Sequence, residues 1–314
     1  MDKTENFVTL FDANYLYVGL SLYDSLVNYY EKNFCLWVIC LDTACYDALG
    51  MLNRSQIKQV LLKDVETKDL VCAKNNRSWR EYCWTLASQS FGFCWNIDST
   101  ISRLTYIDAD VFFFRSPQNV FFEMEESKAD VLITKHNYAS EYDVSHDCGS
   151  FCVQFVAVNN SLMGRKIIDS WAKECLDWCY DKVLPDRFGD QKYLDKWPSM
   201  YEKSICILKS ETSALGPWNI KNIEKKEYCK MIFYHFHGIK LHQKNRVILN
   251  ERYFIPKVFR KYHKIYLLSI NKNLALSKSL GVTPKTFPIT KKYFYFFRIL
   301  KRVLFKNMLE YKVL

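Results

Sequence analysis

Short apolar runs alternate with amphipathic segments along the first half of the chain. Residues 6–11, 34–41 and 57–62 form runs with the length and composition of buried strands. Between the first two runs, apolar residues recur every three or four positions through residues 20–30, which is typical of a helix. Because strands that alternate with helices form βαβ units, the sequence predicts an α/β fold with a mostly parallel sheet and helices on both faces.

The same alternation continues further along the chain. The remaining predicted elements are helices at 43–53, about 80–93 and 161–182, and strands around Asp108, at 130–134 and at 152–160.

Polar residues stand where the predicted strands end. Ligands of such sheets bind beyond the carboxyl ends of the strands, and Asp12, Asp42 and Asp108 all lie at predicted strand ends. We therefore expect a ligand site at this edge of the sheet.

Two carboxylates, Asp108 and Asp110, interrupt the long apolar run at residues 104–117. Ionised carboxylates buried in a strand cost several kcal/mol each unless a positive group lies opposite. Residues i and i+2 of a strand point to the same side, so both carboxylates can bind one divalent cation at the end of the strand. The alternative is that these aspartates only cap the turn that follows.

Composition is that of an ordinary globular protein. The chain has 314 residues, 49% hydrophobic and 25% charged, which suffices for a large core and an appendage. No apolar run approaches the roughly eighteen residues of a membrane span, and residues 1–5 lack the pattern of a signal peptide. The twelve cysteines form no C-x-x-C pair, which favours reduced thiols in a cytoplasmic protein over zinc or disulfides.

The formal net charge of +10 is concentrated after residue 221, where lysine and arginine are interleaved with aromatic residues. This asymmetry predicts two parts, residues 1–246 as the main domain and residues 247–314 as a basic, aromatic extension. Within 291–306, basic residues gather on one side of a helical projection and apolar residues on the other, as in a helix at an anionic membrane surface. The alternative is a helix packed on the domain. No RNA-binding module is recognisable, so nucleic acid is not the expected partner.

Glycine-rich phosphate loops are absent from the sequence. No G-x-G-x-x-G follows the first predicted strand, and no G-x-x-x-x-G-K-[ST] occurs. This argues against dinucleotide-binding oxidoreductases and P-loop enzymes. A nucleotide bound at this sheet would instead have its diphosphate neutralised by a metal ion and basic side chains.

Four short motifs occur in a recognisable order between residues 5 and 243. They are Asp12-x-Asn14-Tyr15, Asp108-x-Asp110, Gly189-Asp190-Gln191 and Tyr234-His235-Phe236-His237-Gly238. In this order and on this α/β background, the chain resembles the GT-A nucleotide-sugar glycosyltransferases, and most closely their retaining glycogenin-like and lipooligosaccharide galactosyltransferase branch. The resemblance implies transfer of a sugar from a UDP-sugar, with retention, to a hydroxyl of a surface polysaccharide, a lipopolysaccharide or a lipid-linked glycan precursor.

The resemblance also implies a metal ion, Mn²⁺ or alternatively Mg²⁺, that holds the nucleotide diphosphate. Its implied ligands are Asp108, Asp110 and His235, since His235 has the H-x-x-G spacing of the family motif, and His237 is the alternative. Mixed carboxylate and imidazole ligands suit Mn²⁺ better than Mg²⁺, which prefers to keep its waters.

For the nucleotide, the resemblance implies contacts at the end of the first strand. Asp12, Asn14 and Tyr15 are the candidates for the nucleobase and ribose, although Asp12 can equally cap the following helix. The arginine that the family carries before the D-x-D strand is replaced by Trp84, and Arg80 is the nearest substitute. Lys240 is a further candidate for nucleotide binding.

For the reaction itself, the implied residues are Asp190, Gln191 and Gln154. Asp190 matches the carboxylate that the family places beside the anomeric carbon, and Gln191 follows it in the same motif. Where glycogenin-like enzymes carry Asn-Ala-Gly, this chain has Cys-Val-Gln, so Gln154 is expected to hydrogen-bond the sugar, whose identity does not carry over. A turn at residues 216–219 is expected to bring Trp218 near the acceptor.

Two other classes of protein share parts of this pattern. A sugar-1-phosphate nucleotidyltransferase would use the same sheet and metal site, but this chain lacks the glycine-rich basic loop after the first strand. A non-catalytic membrane-binding or nucleic-acid-binding protein would require Asp108 and Asp110 to be structural.

Overall fold

A computed structural model describes residues 4–244, 246–250, 252–288 and 309–312. Its strands are β1 (Glu5–Phe11), β2 (Phe34–Cys40), β3 (Ile57–Leu61), β4 (Arg103–Ile107), β5 (Val111–Phe113), β6 (Val131–Lys135), β7 (Phe151–Asn159), β8 (Ile205–Ile207), β9 (Ala214–Leu215), β10 (Phe233–His235), β11 (Lys240–His242), β12 (Arg246–Asn250) and β13 (Leu309–Lys312). The α-helices are α1 (Leu16–Tyr29), α2 (Thr43–Leu52), α3 (Leu62–Val65), α4 (Lys68–Asn76), α5 (Trp79–Ile97), α6 (Gln118–Ser127), α7 (Ser145–Cys148), α8 (Leu162–Asp177), α9 (Trp197–Met200) and α10 (Arg260–Ser279).

Seven of these strands form the central sheet, in the order β3-β2-β1-β4-β7-β6-β8. The pairs among β3, β2, β1 and β4 are parallel, as is the pair β6 and β8. Strand β7 is antiparallel to both of its neighbours. The predicted α/β fold with a mostly parallel sheet is therefore confirmed, with β7 as the strand that the βαβ series did not anticipate.

The strands of this sheet are buried on both faces, and successive residues pack into different cores. On β1, Phe7 belongs to a cluster that includes residues of α1, α2 and α6, whereas Val8 belongs to a cluster with α5 and α8. On β7, Phe155 and Val156 are divided between the same two clusters. This burial on both sides explains why the strands read as continuous apolar runs.

A second sheet contains three strands in the order β5-β10-β9. Its first strand, β5, follows β4 of the central sheet directly along the chain. We expected Asp108 and Asp110 to point to the same side of one strand, and this detail was wrong. The chain leaves β4 at Ile107, and the N–H of Val111 donates to the carbonyl of Asp108 at 3.0 Å, so both carboxylates lie in a turn between two sheets. The turn still brings them together, because β5 pairs with β10 instead of continuing β4.

The described part of the predicted extension packs on the main domain. The predicted boundary between the two parts lies after residue 246. In the structure β11 lies before this boundary and β12 runs across it, and both strands belong to the sheet β11-β12-β13. Helix α10 lies against α1, and Tyr266, Ile270 and Leu274 are buried in one cluster with Val18. The amphipathic segment 291–306 lies outside the described residues. Among the residues that the structure describes, none of the helices combines the length and apolarity needed to cross a membrane.

A buried histidine in α10 gives this packing a testable pH dependence. Burial, together with the positive charge of Arg260, lowers the pKa of His263 to about 3. Because an unfolded histidine has a pKa of about 6.5, acidification protonates this residue in the unfolded state before the folded state. Between pH 7 and pH 5, His263 should therefore lower the free energy of unfolding by about 2 kcal/mol.

Urea denaturation at the two pH values would measure this loss. The variant His263→Phe should lose about 2 kcal/mol less than the wild type on acidification, since phenylalanine does not titrate. The exposed His146 provides the control, and His146→Phe should behave like the wild type. An equal loss in H263F and the wild type would contradict the assignment.

Candidate functional site

The turn between β4 and β5 holds two carboxylates against a histidine of β10. The Nε2 atom of His235 lies 2.9 Å from Oδ1 of Asp110 and 3.7 Å from Oδ2 of Asp108. His235 pairs with Val111, and the N–H of Phe236 donates to the carbonyl of Asp110 at 2.8 Å. The antiparallel pairing of β5 and β10 therefore determines how the three side chains meet.

His237 approaches the same point from solvent. One potential ligand atom from each of Asp110, His235 and His237 lies within 4.8 Å of the others. The rings of His235 and His237 meet edge to face, with centroids 5.4 Å apart. The sequence left these two histidines as alternatives, and the structure brings both to Asp110. We refer to Asp108, Asp110, His235 and His237 as the metal cluster, because their oxygen and nitrogen donors fit a divalent ion such as Mn²⁺.

The electrostatics of this cluster require a cation. Burial alone would lower the pKa of His235, but the neighbouring Asp110 carboxylate raises it well above its usual range. Burial raises the pKa of Asp108, and the charge of Asp110 adds to this effect. A proton on His235 or a divalent ion can offset the two carboxylates. The two cations compete, because a metal-ligating imidazole must be unprotonated at the ligating nitrogen.

Two side chains near the cluster hold its members in place. Tyr106 precedes Asp108 by two residues, and its hydroxyl donates to Oδ1 of Asp108 at 2.9 Å. We did not predict this contact, although the two-residue spacing along a strand is the signal that could have suggested it. Gln154 is fully buried, and its Oε1 lies 3.0 Å from Nδ1 of His235. The structure thus places Gln154 at the histidine, and its contact with a sugar stays a prediction.

At the end of β1, Asp12 has the capping role that we considered as an alternative. Its carboxylate accepts the N–H of Tyr15 and the side-chain amide of Asn14, both at 3.1 Å. The side-chain oxygen Oδ1 of Asn14 accepts the main-chain N–H of Lys285 at 3.0 Å. Burial, followed by the charge of Asp110, raises the pKa of Tyr15 well above its usual range. Tyr15 is thus electrostatically linked to the metal cluster, and nucleotide contacts at these residues stay predictions.

The Gly-Asp-Gln motif places a carboxyl group near Asp108. Gly189 has a φ of +51°, and an added Cβ would lie 3.3 Å from the ring of Trp84, so the turn favours glycine. Asp190 is buried, and its carbonyl accepts the indole N–H of Trp171 at 2.9 Å. Burial, followed by the charge of Asp108, raises the pKa of Asp190 well above its usual range. The carboxyl group of Asp190 is therefore close enough to that of Asp108 for the two to interact electrostatically.

Gln191 contacts the loop between β6 and β7. Its side-chain amide donates to the carbonyl of Cys148 at 2.6 Å, and the Lys192 ammonium donates to the carbonyl of His146. The residues after Asp190 therefore hold the end of this loop, while the part of Gln191 in the reaction stays a prediction.

The two predicted basic contacts lie at the edge of the described site. Arg80 is exposed near the start of α5, and its Nη1 lies 3.2 Å from Asp181. Lys240 begins β11, and its Nζ lies 6.0 Å from the ring centroid of Phe287. The contact of both residues with a diphosphate stays a prediction.

Trp218 packs directly on the metal cluster. Its ring centroid lies 5.3 Å from that of His235 and 5.9 Å from that of His237, both edge to face. The indole N–H donates to the carbonyl of His136 at 2.9 Å, and the Asn219 amide donates to the same oxygen at 2.8 Å. We expected Trp218 near an acceptor, and this stays a prediction. The structure places its ring against both histidines of the metal cluster. We did not predict a role for His136, because it stands in a polar loop without a motif.

Comparison with known proteins supports a fold assignment. No model of a known protein family matches the chain. The uncharacterized protein YfnD of Bacillus subtilis strain 168 is 27% identical over 250 residues, which cover 76% of this chain and 79% of YfnD.

Among solved structures, the galactosyltransferase LgtC in complex with donor and acceptor sugar analogues has a TM-score of 0.52 at 12% identity, covering 93% of this chain and 99% of LgtC. The structure of mouse xyloside xylosyltransferase 1 has a TM-score of 0.50 at 13% identity, and the match covers 75% of this chain and 98% of the xylosyltransferase chain. The chain therefore has the GT-A fold, and its predicted resemblance to this group of structures is confirmed at the level of the fold.

The arrangement of the two histidines predicts unequal contributions to metal binding. His235→Ala should weaken Mn²⁺ binding by more than about tenfold, because it removes the buried imidazole beside Asp110. His237→Ala should have a smaller effect, because that ring lies at the exposed side of the cluster. Titration with MnCl₂, followed by the loss of the electron paramagnetic resonance signal of free Mn²⁺, would measure both affinities.

A matched control is available for this titration. His146 is exposed, and its Nδ1 lies 3.0 Å from Asp147, so it is a histidine beside a carboxylate outside the metal cluster. His146→Ala should retain the wild-type affinity. If all three variants bind Mn²⁺ equally well, the metal cluster is not the binding site.

Proposed function

We propose that this protein is a metal-dependent glycosyltransferase. It would transfer a sugar from a nucleotide-diphosphate donor, a UDP-sugar, to a hydroxyl of a surface polysaccharide, a lipopolysaccharide or a lipid-linked glycan precursor. The observation that carries the proposal is the convergence of His235 and His237 with Asp108 and Asp110, which lie in the turn at the carboxyl end of β4, in a chain with the GT-A fold. Ligands of parallel sheets bind at this edge.

The donor would lie across the carboxyl ends of β1 and β4. In this proposal the segment Asp12–Tyr15 binds the nucleobase and ribose, and the metal cluster together with Arg80 and Lys240 binds the diphosphate. A bound Mn²⁺ or Mg²⁺ would supply Lewis-acid stabilisation to the leaving diphosphate. Tyr15 lies close enough to Asp110 for that carboxylate to raise its pKa, which supports the idea that one ligand spans both places.

Asp190 would act at the anomeric carbon. Its raised pKa has two causes, burial and the negative charge of Asp108. Positive charge at the metal cluster would offset the second cause and favour an ionised Asp190 when the donor binds. An ionised carboxylate there can stabilise the positive charge that develops on the sugar, or orient the acceptor hydroxyl. Gln191 would keep the β6–β7 loop over the sugar, and we propose retention of the anomeric configuration.

A thermal-shift assay would test the donor and the metal together. UDP with MnCl₂ should raise the melting temperature of the wild type more than either one alone, since a ligand that binds only the folded state stabilises it. Asp110→Asn should abolish both this shift and the turnover of UDP-sugars, because it removes a charged ligand of the cluster. The exposed Asp69 provides a matched control, and Asp69→Asn should retain both.

Two results would contradict this function. One is full UDP-sugar turnover by D110N. The other is release of pyrophosphate from UTP and a sugar 1-phosphate, which would indicate a nucleotidyltransferase instead.

We also propose that the protein acts in the cytoplasm and binds the anionic inner face of the cell membrane. Helix α10 contains no Asp or Glu, and its outward side exposes Lys261, Lys264, Ile265 and Leu268. The exposed fractions of Ile265 and Leu268 are 40% and 70%. Basic residues around exposed apolar side chains combine apolar burial with attraction to anionic lipid. Such a surface would bring the active site to a lipid-linked acceptor.

Co-sedimentation with lipid vesicles would test the membrane surface. The protein should bind vesicles that contain phosphatidylglycerol, bind pure phosphatidylcholine vesicles more weakly, and dissociate as salt is added. Leu268→Glu should reduce binding by about tenfold, since it removes the burial of one leucine. Leu162 is 93% exposed at the start of α8, so Leu162→Glu is the control and should bind normally. Equal loss in both variants, or binding that is independent of lipid charge, would contradict this proposal.

A further inference from the structure

We infer that Gln154 is a positioning residue of the metal cluster, which fixes the ring of His235 so that Nε2 faces Asp108 and Asp110. This inference rests on the proposed metal-dependent function and goes beyond it. It also differs from the sugar contact that the sequence predicted for Gln154. Three observations carry the inference: the hydrogen bond to His235, the chain of hydrogen bonds behind it, and the main-chain contact with Asp108.

The first observation concerns the two nitrogens of His235. Gln154 Oε1 lies 3.0 Å from Nδ1, while Nε2 lies 2.9 Å from Asp110 on the other side of the ring. An amide oxygen can only accept a hydrogen bond, so Nδ1 must carry the proton. In the neutral ring, the lone pair is then on Nε2 and directed at the metal cluster. This is the tautomer that ligation through Nε2 requires.

The second observation fixes which end of the Gln154 amide faces the histidine. The hydroxyl of Thr134 donates to the carbonyl of Cys152 at 3.5 Å, which leaves its oxygen as an acceptor. Gln154 Nε2 donates to that oxygen at 3.4 Å. Donation therefore runs in one direction, from Gln154 through Thr134 to the main chain. The reverse orientation of the amide would place an NH₂ group against Nδ1 and an oxygen against the Thr134 hydroxyl.

The third observation links Gln154 to a second member of the cluster. Its main-chain carbonyl accepts the N–H of Asp108 at 3.2 Å, just beyond the end of β4. This contact follows from the antiparallel pairing of β4 and β7, in which Ile107 lies opposite Phe155. One residue thus holds Asp108 through its backbone and His235 through its side chain. Both ends of the buried amide are occupied by protein groups, which favours positioning over contact with a sugar.

The experiment compares Gln154→Met with the wild type in the full-length protein. Methionine is close to glutamine in size and cannot accept a strong hydrogen bond, so His235 loses its orienting partner. We expect Q154M to weaken Mn²⁺ binding by about 10- to 100-fold, the range typical of residues that orient metal ligands. Gln154→Glu keeps an acceptor oxygen at the same place and should restore most of the affinity.

A spectroscopic measurement separates positioning from general loss of structure. The protein has six histidines, so ¹⁵N-labelled histidine gives few signals, and His235→Ala identifies those of His235. With diamagnetic Mg²⁺ bound, the nitrogen shifts of the wild type should show a proton on Nδ1 and none on Nε2, and Q154M should lose this preference. Gln89 is the matched control, since its amide donates to the carbonyl of Ala172 outside the site. Gln89→Met should change neither the His235 signals nor the Mn²⁺ affinity.

Kinetic specificity distinguishes the two roles of Gln154. If Gln154 positions His235, Q154M should have the same ratio of kcat/KM for UDP-galactose and UDP-glucose as the wild type, with a higher Mn²⁺ requirement for both. A changed ratio with unchanged Mn²⁺ affinity would overturn the inference in favour of a sugar contact. If Q154M does not fold, Thr134→Val removes the hydroxyl that orients the amide and should weaken Mn²⁺ binding to a smaller extent.

The inference and the proposed function fail in different ways. Wild-type protein that binds no Mn²⁺ would overturn both of them. Wild-type protein that binds Mn²⁺, together with a folded Q154M or T134V variant of equal affinity, would overturn the role of Gln154 and leave the metal-dependent function intact.

Discussion

The pairing of β5 with β10 is the constraint on which the rest of the site depends. It places His235 opposite Val111, directly after the turn that carries Asp108 and Asp110. Asp110 is buried there and Asp108 is partly buried. A positive group nearby lowers the cost of their charges, and the imidazole supplies either a proton or a metal-binding nitrogen. The same pairing lets Phe236 hold the Asp110 carbonyl through its N–H. The metal cluster therefore lies where the central sheet meets the sheet β5-β10-β9.

Aromatic packing supports this junction from two sides. Phe236, between the two histidines, stacks on Tyr266 of α10 with ring centroids 3.7 Å apart and an interplanar angle of 12°. On the other side, Trp218 packs edge to face against both His235 and His237. Helix α10 thus packs against the segment that carries the two histidines. Its outer side exposes basic residues.

Most of the fold was predictable from the sequence because its signals are local. Strands buried on both faces produce continuous apolar runs, so β1 and β2 could be placed nearly to the residue. Helices repeat with a period near 3.6 residues, which located α1 but missed its first four residues. The order of short motifs then predicted the GT-A fold, which the likeness to LgtC confirms. Burial of Asp108 and Asp110 in an apolar run also pointed to a cation, since the cost of burying two charges does not depend on the details of the topology.

The finer arrangement of the site depends on contacts between distant parts of the chain, and only the tertiary structure decided it. The antiparallel direction of β7 places Gln154 behind His235, 81 residues away in sequence. The turn between two sheets brings His235 and His237 together with Asp110, where the sequence offered them as alternatives. Sequence periodicity reports which face of an element is buried, not which strand lies beside it. By itself, the sequence determined the elements and predicted a cation beside Asp108 and Asp110, whereas strand pairing determined which side chains meet at that place.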